Sequence, residues 1–329
     1  IYLPVRMKRY QDVSAAVMNL FYTYTPRIQQ ISIDEAFLDL TGTERLFGDP
    51  LETAARIKRD VLEKTGLTVS IGIAANKYVA KLASEYGKPD GLHPVVEGKE
   101  WGFLDRLQLK DLWGVGKKTL ERLYELNITT VPRLRSFSEA LLKSMLGEGA
   151  GSFLYHACRG EDPGIFNEQP KSHSLSNEVT FNEDIKDRET IKKVLLELSD
   201  QVMFRLIKEK CKSKTLFLKI RYSDFTTTTV QKTLRHYVYS AEEFFTVAVE
   251  LLSKRWDGAA PIRLIGVGAG PVEPAGTPEQ PELFEQEYDK KKKVEEAVLK
   301  IRTKMSGDTI VKATLLENRQ NKEKKKKDG

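Results

Sequence analysis

Cysteine is almost absent from this chain: Cys158 and Cys211 are the only two among 329 residues, far apart and without Cys-x-x-Cys spacing. Neither a disulfide framework nor a cysteine zinc site is indicated, and both thiols are expected to be buried as small apolar groups. Histidine is scarce too, and His93, His156, His173 and His236 are too scattered to converge on a metal. Long apolar runs are also missing. No stretch approaches about eighteen consecutive apolar residues and no signal-peptide pattern opens the chain, so a soluble, cytoplasmic protein without a membrane partner is expected.

Charge, by contrast, is plentiful. With 53 basic and 47 acidic residues the net charge is +6, a modest excess that suggests a polyanionic partner. A hydrophobic share of 40% over this length is enough for two or three domains, each with its own core. Basic runs stand at Lys290 to Lys293 and Lys324 to Lys327. Each reads as a solvated helix face or a tail, with specific DNA contact as the alternative.

The most informative ten residues are Ile31 to Leu40, where Asp34 and Glu35 sit side by side in an otherwise strand-like apolar run. Carboxylates are costly to desolvate there, and clustered oxygens commonly take a hard divalent cation such as Mg²⁺. Strict alternation would put the two on opposite faces of a strand. They reach one ion only if the chain bends, so a hairpin turn or bulge is expected at Asp34 to Ala36. The plain alternative is an ordinary surface Asp-Glu pair.

Ser32-Ile33-Asp34-Glu35-Ala36-Phe37-Leu38-Asp39 resembles the palm signature of the Y-family translesion DNA polymerases, in their DNA polymerase IV branch. Further stretches match in the family's order: Leu3 to Arg6 with Tyr10, Asn76-Lys77 through Lys81 to Lys88-Pro89-Asp90-Gly91, and Leu112-Trp113-Gly114-Val115-Gly116-Lys117. The resemblance runs from Leu3 to about Leu316. It implies an α+β fold: an incomplete polymerase palm over 1–96, a small helical thumb with a helix-hairpin-helix over 97–164, a linker at 165–173, a C-terminal βαββαβ little-finger domain over 174–316 and a basic tail at 317–329. Ile1 falls deep inside the family pattern. The first palm strand with another metal-binding Asp, the aromatic residue that screens the sugar 2′-position and most of the fingers are therefore expected upstream of it, and the chain as it stands is expected to bind primer–template DNA without extending it.

Local patterning fills in this frame. Apolar residues recur at helical spacing over Tyr10 to Tyr22 and Leu51 to Thr65, the second ending at Gly66, and Leu67 to Ala74 reads as a buried strand. Asn76 is a plausible N-cap and Gly87 a plausible stop for a helix on which Lys77 and Lys81 share a face. An ordinary amphipathic helix with a solvated basic face is the plain reading. The resemblance implies instead that Lys88, with Lys81 second, binds the triphosphate of the incoming nucleotide. Gly114-Val115-Gly116 ahead of Lys117 lets backbone N–H groups approach a phosphate at a helix start, and Leu146-Gly147-Glu148-Gly149 is a weaker second hairpin or a loop.

Beyond the linker the order is strand (Leu175 to Phe181), helix (Arg188 to Lys208), strand (Thr215 to Tyr222), strand (Thr226 to Leu234), helix (Ala241 to Arg255) and strand (Ile262 to Val267), a ferredoxin-like βαββαβ order. Lys219 and Arg221 alternate with Leu218 and Ile220, giving one basic and one buried face. Thr226, Thr228, Lys232 and Arg235 extend a phosphate-binding face or form an exposed polar side. At the domain entrance His173 stands where the family has a Lys before Ser174, and Lys171 is the compensating candidate for backbone contact. Gly266-Val267-Gly268-Ala269-Gly270 is not a dinucleotide loop, because Pro271 to Pro281 follows where a helix is required. Gln280, Leu283 and Phe284 resemble the peptide that tethers bacterial polymerases to the sliding clamp, although the Leu-Phe pair could instead pack under the last helix, Val294 to Lys304.

The resemblance implies template-directed phosphoryl transfer by two Mg²⁺ ions about 3.5–4 Å apart, with Asp34 and Glu35 as metal ligands and primer–template DNA and deoxynucleoside triphosphates as partners. A monomer is expected. The alternatives are a catalytically inactive, clamp-tethered DNA-binding relative and a metal-dependent nuclease. Asp39, past the bend, is expected to make a structural hydrogen bond.

Overall fold

The computed structural model describes residues 5–166, 174–277, 293–298, 300, 301 and 304. The chain divides into two compact units, Ile1–Pro170 and Lys171–Gly329.

The first unit runs α1 (Met7–Phe21), β1 (Ile28–Gln30), β2 (Ala36–Leu38), α2 (Glu44–Phe47), α3 (Pro50–Thr65), β3 (Ile71–Ile73), α4 (Lys77–Tyr86), β4 (Leu92–Pro94), α5 (Glu100–Leu104), a 3₁₀ turn (Leu109–Asp111), α6 (Lys117–Glu125), α7 (Val131–Arg135), α8 (Glu139–Leu146) and α9 (Glu148–Ala157). Helix boundaries follow local chemistry. Asp49 and Glu52 form a capping box with Pro50 in the first turn of α3, and Gly66 ends it in the left-handed region. Asn76 caps α4 by accepting from Val79 N at 2.9 Å, as expected from the sequence. The strand expected over Leu67 to Ala74 shortens to three residues that pair in parallel with β4.

Two cores result. Met18, Phe21, Tyr24, Ile57 and Val61 bury the inner sides of α1 and α3 against Ile28, Ala36, Leu38 and Ile71. The second core joins Tyr78, Val79, Leu82 and Ala83 of α4 to Leu104, Leu109, Leu123 and Leu154 of the following helices. Helix α4 is thus apolar on the side facing the helical bundle. Cys158 lies in this core, and burial pushes its thiol pKa up to about 11.

The second unit comprises β5 (Leu175–Ile185), α10 (Arg188–Lys208), β6 (Cys211–Lys212), β7 (Thr215–Tyr222), β8 (Thr227–Thr233), α11 (Ala241–Arg255), β9 (Ile262–Ala269) and β10 (Glu273–Pro274). The βαββαβ order is as expected, with β6 pairing β10 as a small addition. Cys211 sits in this short pair and is half-buried, not fully buried as expected. The strand order is not the ferredoxin-like one, which sets the first and third strands at the centre. Here the antiparallel sheet runs β5-β9-β7-β8, so the last and second strands of the motif are central. Strand β9 suits that place because it is buried along nearly its whole length. Gly266 and Gly268 also let neighbours close over it: a Cβ at Gly268 would lie 2.2 Å from the Phe217 ring and one at Gly266 2.7 Å from Glu178 Cβ. Helices α10 and α11 cover one sheet face, packing Ile191, Leu195, Phe244 and Leu251 against Leu216, Leu218, Ile220 and Val267.

Candidate active site and nucleic-acid surfaces

The run from Ile31 to Leu40 is not one strand. β1 and β2 pair antiparallel with Ile28 opposite Leu38 and Gln30 opposite Ala36, so residues 31–35 form the hairpin turn. Ile31 N donates to the Glu35 carbonyl at 2.9 Å, and Asp34 N donates to Ser32 Oγ at 3.2 Å, while that hydroxyl in turn donates to the Asp34 carboxylate. Ser32 therefore folds the turn by local side-chain bonds that compete with strand pairing. Asp34 is exposed and Glu35 half-buried, immediately before β2. Asp39 is elsewhere: it pairs with Arg27 at 3.2 Å and accepts from Thr41 N at 2.9 Å, the bonds to Thr41 holding its pKa down, in keeping with a structural role.

Facing the turn is the polar side of α4. Lys81 Nζ donates to Glu35 Oε1 at 2.8 Å and to Glu85 Oε1 at 2.7 Å, and Lys88 Nζ donates to the same Glu85 oxygen at 2.7 Å. The Lys81 side chain is 8% exposed and that of Lys88 55%. Burial alone would lower the Lys81 pKa, but the two carboxylates outweigh it and the net shift is upward. Glu85 shifts the opposite way: partial burial raises its pKa, and the hydrogen bonds from Lys81 and Lys88 more than reverse that. The structure thus brings Glu35, Lys81 and Lys88 together through Glu85, while Asp34 adjoins Glu35 in the chain and its carboxylate accepts from Ser32 within the turn. Lys77, expected to share the lysine face, instead donates to the Phe166 carbonyl at 3.2 Å.

Two contributors escaped the sequence reading. Glu85 lies four residues after Lys81, a spacing that brings side chains together on a helix, so its signal was present. Lys58 of α3 donates to the carbonyls of Val69, at 2.5 Å, and Asp90, at 2.9 Å, and to the Asp90 carboxylate, pinning the loop that follows Lys88. No local pattern links residues 32 positions apart.

In the helical bundle, Gly114 has φ +93° and a Cβ there would meet the Phe153 ring at 2.5 Å, so only glycine fits the turn without strain. Val115 is half-buried, Gly116 is the N-cap of α6, and Lys117 is exposed. Gly116 offers no capping side chain, which leaves the first-turn N–H groups of this nine-residue helix for an anion. Tyr78 of α4 donates its hydroxyl to the Trp113 carbonyl at 3.1 Å and meets the Phe153 ring edge-on.

In the second unit, Lys219 and Arg221 share the sheet face away from the helices, as expected. Lys219 reaches across Gly266 to Glu178 at 2.8 Å, and Arg221 donates to Thr227 at 2.9 Å. Lys232 does not join them. The register sets Lys232 opposite Leu216 and Thr228 opposite Ile220, on the helix face, where Lys232 pairs with Glu250 of α11. Arg235 is exposed past the end of β8, and Ser174 is exposed just before β5. Lys171, Gln280, Leu283 and Phe284 lie outside the described residues.

A carboxylate-bearing hairpin beside a lysine-lined helix, a helix-hairpin-helix bundle and a separate βαββαβ unit define the class: a DNA polymerase of the Y-family fold. The impB/mucB/samB family matches residues 1–85, that family's C-terminal domain matches 172–283, and the DNA polymerase-iota thumb domain matches 110–162. DNA polymerase IV of Treponema denticola is 46% identical over 331 residues, covering 100% of this chain and 82% of the relative; that of Desulfatibacillum aliphaticivorans is 35% identical over 318 residues, covering 96% and 80%. Among solved structures, a Y-family DNA polymerase chimera of Dbh and Dpo4 is similar with TM-score 0.73 at 26% identity, over 83% of this chain and 79% of that one. An insertion ternary complex of Dbh DNA polymerase gives 0.53 at 26% identity and the same coverage. The chain belongs to the DNA polymerase IV family. It is a DNA-directed DNA polymerase of the translesion type, and the reading as an inactive relative is not favoured.

Proposed function

We propose that Asp34 and Glu35 hold the divalent ions with which this polymerase joins a deoxynucleotide to a primer 3′-hydroxyl, and that Lys88 binds the triphosphate. The observation that carries the reading is the hairpin turn, which presents Asp34 and Glu35 in succession, with Glu35 bonded to Lys81 and linked through Glu85 to Lys88. The donor set suits the ion. Mg²⁺ in nucleotide enzymes is commonly held by one or two carboxylates together with water and substrate phosphates, and among the described residues no group of three or more His, Cys, Asp or Glu side chains gathers as a self-sufficient cage. Two bound Mg²⁺ ions would supply Lewis-acid activation of the hydroxyl and stabilise the departing pyrophosphate.

The chain's own residues do the rest. Ser32 fixes the Asp34 carboxylate in the turn, Lys81 holds Glu35 until an ion takes it, and the exposed Lys88 supplies positive charge to the triphosphate. Gly114 to Lys117 grip a backbone phosphate without reading sequence. Lys219 and Arg221, with Ser174, Arg235 and Lys171, contact further backbone, and Lys232 contributes from the other sheet face at most at its edge. The partners that follow are primer–template DNA and deoxynucleoside triphosphates, with the sliding clamp taken through Gln280, Leu283 and Phe284. The protein works as a cytoplasmic monomer, with palm, thumb and little finger at 1–96, 97–164 and 174–316; among the described residues no helix is long and apolar enough to cross a membrane.

In the intact protein, Asp34→Ala or Glu35→Ala is expected to abolish primer extension while duplex affinity stays within about twofold of the parent. Extension that survives either substitution would remove the metal-ligand assignment.

A further inference from the structure

The geometry points to Glu85 as a positioning residue that sets the balance between nucleotide and divalent-ion binding, by serving as the exchange counter-ion of both lysines on α4. This rests on the reading of Lys88 as the triphosphate ligand and Glu35 as a metal ligand. A single Glu85 oxygen accepts from Lys81 at 2.7 Å and from Lys88 at 2.7 Å, while Lys81 also reaches Glu35 at 2.8 Å. The four side chains form an alternating row, Glu35–Lys81–Glu85–Lys88, with two charges of each sign. Its two ends differ in freedom. Lys88 is 55% exposed and can swing to a phosphate, whereas Lys81 is 8% exposed and cannot follow Glu35 into water.

Each ligand therefore draws on Glu85 in an opposite sense. A triphosphate competes with Glu85 for Lys88, so the carboxylate weakens nucleotide binding. A divalent ion competes with Lys81 for Glu35, and a buried ammonium that loses one partner needs another close by. Glu85 is the remaining counter-ion of Lys81 among the described residues, so it lowers the cost of releasing Glu35 to the ion. The arrangement keeps the lysine side of the site neutral before the substrate arrives and leaves Lys81 paired after it does.

The test uses a primer ending in a 2′,3′-dideoxynucleotide, so that ternary complexes form without chemistry. Nucleotide Kd at saturating Mg²⁺ and the Mg²⁺ half-saturation concentration at fixed nucleotide are measured for the intact protein, Glu85→Gln, Glu85→Ala and Lys88→Ala. Both Glu85 variants are expected to tighten nucleotide binding by about two- to fivefold, the range of an exposed ion pair. They should raise the Mg²⁺ half-saturation concentration by at least about fivefold, since Lys81 then has Glu35 alone. Shifts in the same direction for both ligands, as general loosening of the helix would cause, overturn the inference, and so does the absence of either shift. A Lys88→Ala variant that binds nucleotide like the parent instead overturns the triphosphate assignment on which the inference stands.

Discussion

Gly72 of β3 packs against the backbone of α4, and its replacement by alanine tests whether that contact holds the lysines in place. A Cβ at this position would lie 2.1 Å from the Ala80 carbonyl oxygen, 2.4 Å from Ser84 N and 2.8 Å from Ala83 Cβ. Ordinary contact begins near 3.4 Å, so α4 would have to retreat by about 1.3 Å to relieve the closest approach. None of the three obstructing atoms can rotate aside. Overpacking of a core commonly costs ~1–3 kcal/mol, and a backbone obstruction puts Gly72→Ala near the top of that range, about 3 kcal/mol. Lys81, the residue after Ala80, would move with the helix and disturb its 2.8 Å bond to Glu35. Hydrogen exchange read by mass spectrometry separates the effects by region. Peptides within 50–94 should lose protection, those within 174–277 should keep it, and nucleotide affinity should fall. A variant with parental protection around α4, or with stability within about 0.5 kcal/mol of the parent, would refute the reasoning.

The two hairpin glycines make opposite predictions. Among the described residues no atom beyond its chain neighbours lies within 4 Å of the place a methyl group on residue 116 would occupy, so Gly116→Ala should leave stability within about 0.5 kcal/mol while weakening duplex binding by roughly tenfold where a phosphate approaches the backbone. Gly114→Ala should instead destabilise by about 1–2 kcal/mol, because φ is +93° and Phe153 stands in the way; melting curves and fluorescence anisotropy on labelled duplex read both. A third prediction concerns acid. Hydrogen bonds from Lys232 and Lys254 lower the Glu250 pKa from 4.5 to about 2, so its contribution is fully present above pH 4.5 and is lost as the pH falls through about 2. Urea midpoints of Glu250→Gln should therefore change less than those of the parent across that window, with the difference shrinking in high salt because the groups are solvent-exposed. Parallel acid limbs would show that these ion pairs do not stabilise the fold.

Much of this architecture was legible where local chemistry decides it. Arg188–Lys208, Thr215–Tyr222 and Ala241–Arg255 have the boundaries expected from periodicity and caps, and Asn76 and Gly87 bracket α4 as expected. The Asp34–Glu35 bend was legible too, but its centre falls earlier than expected because Ser32, a short polar residue, folds the turn from within an apolar run. What stayed hidden depends on partners distant in sequence. Alternation assigned Lys219 and Arg221 correctly to one face, yet the side on which Lys232 falls depends on the pairing of Ile220 with Thr228, which no single strand encodes. The same element order is compatible with more than one strand order, and the choice rests on how completely β9 is buried. Lys58 and Asp90 meet only once α3 and the loop after Lys88 have packed.

Tyr78 carries a mechanical consequence. It is fully buried on the helix that bears Lys81, yet its hydroxyl holds the carbonyl of the residue just before Gly114, and its ring braces the phenylalanine that closes over that glycine. The lysine helix and the hairpin turn are joined through the same buried cluster, which holds Tyr78 and Leu112 with Phe153 packed against it. Helix and turn share one core, so a displacement of the Gly114 turn is expected to reach the helix that carries Lys81, and a duplex held at that turn would be felt at the hairpin of Glu35.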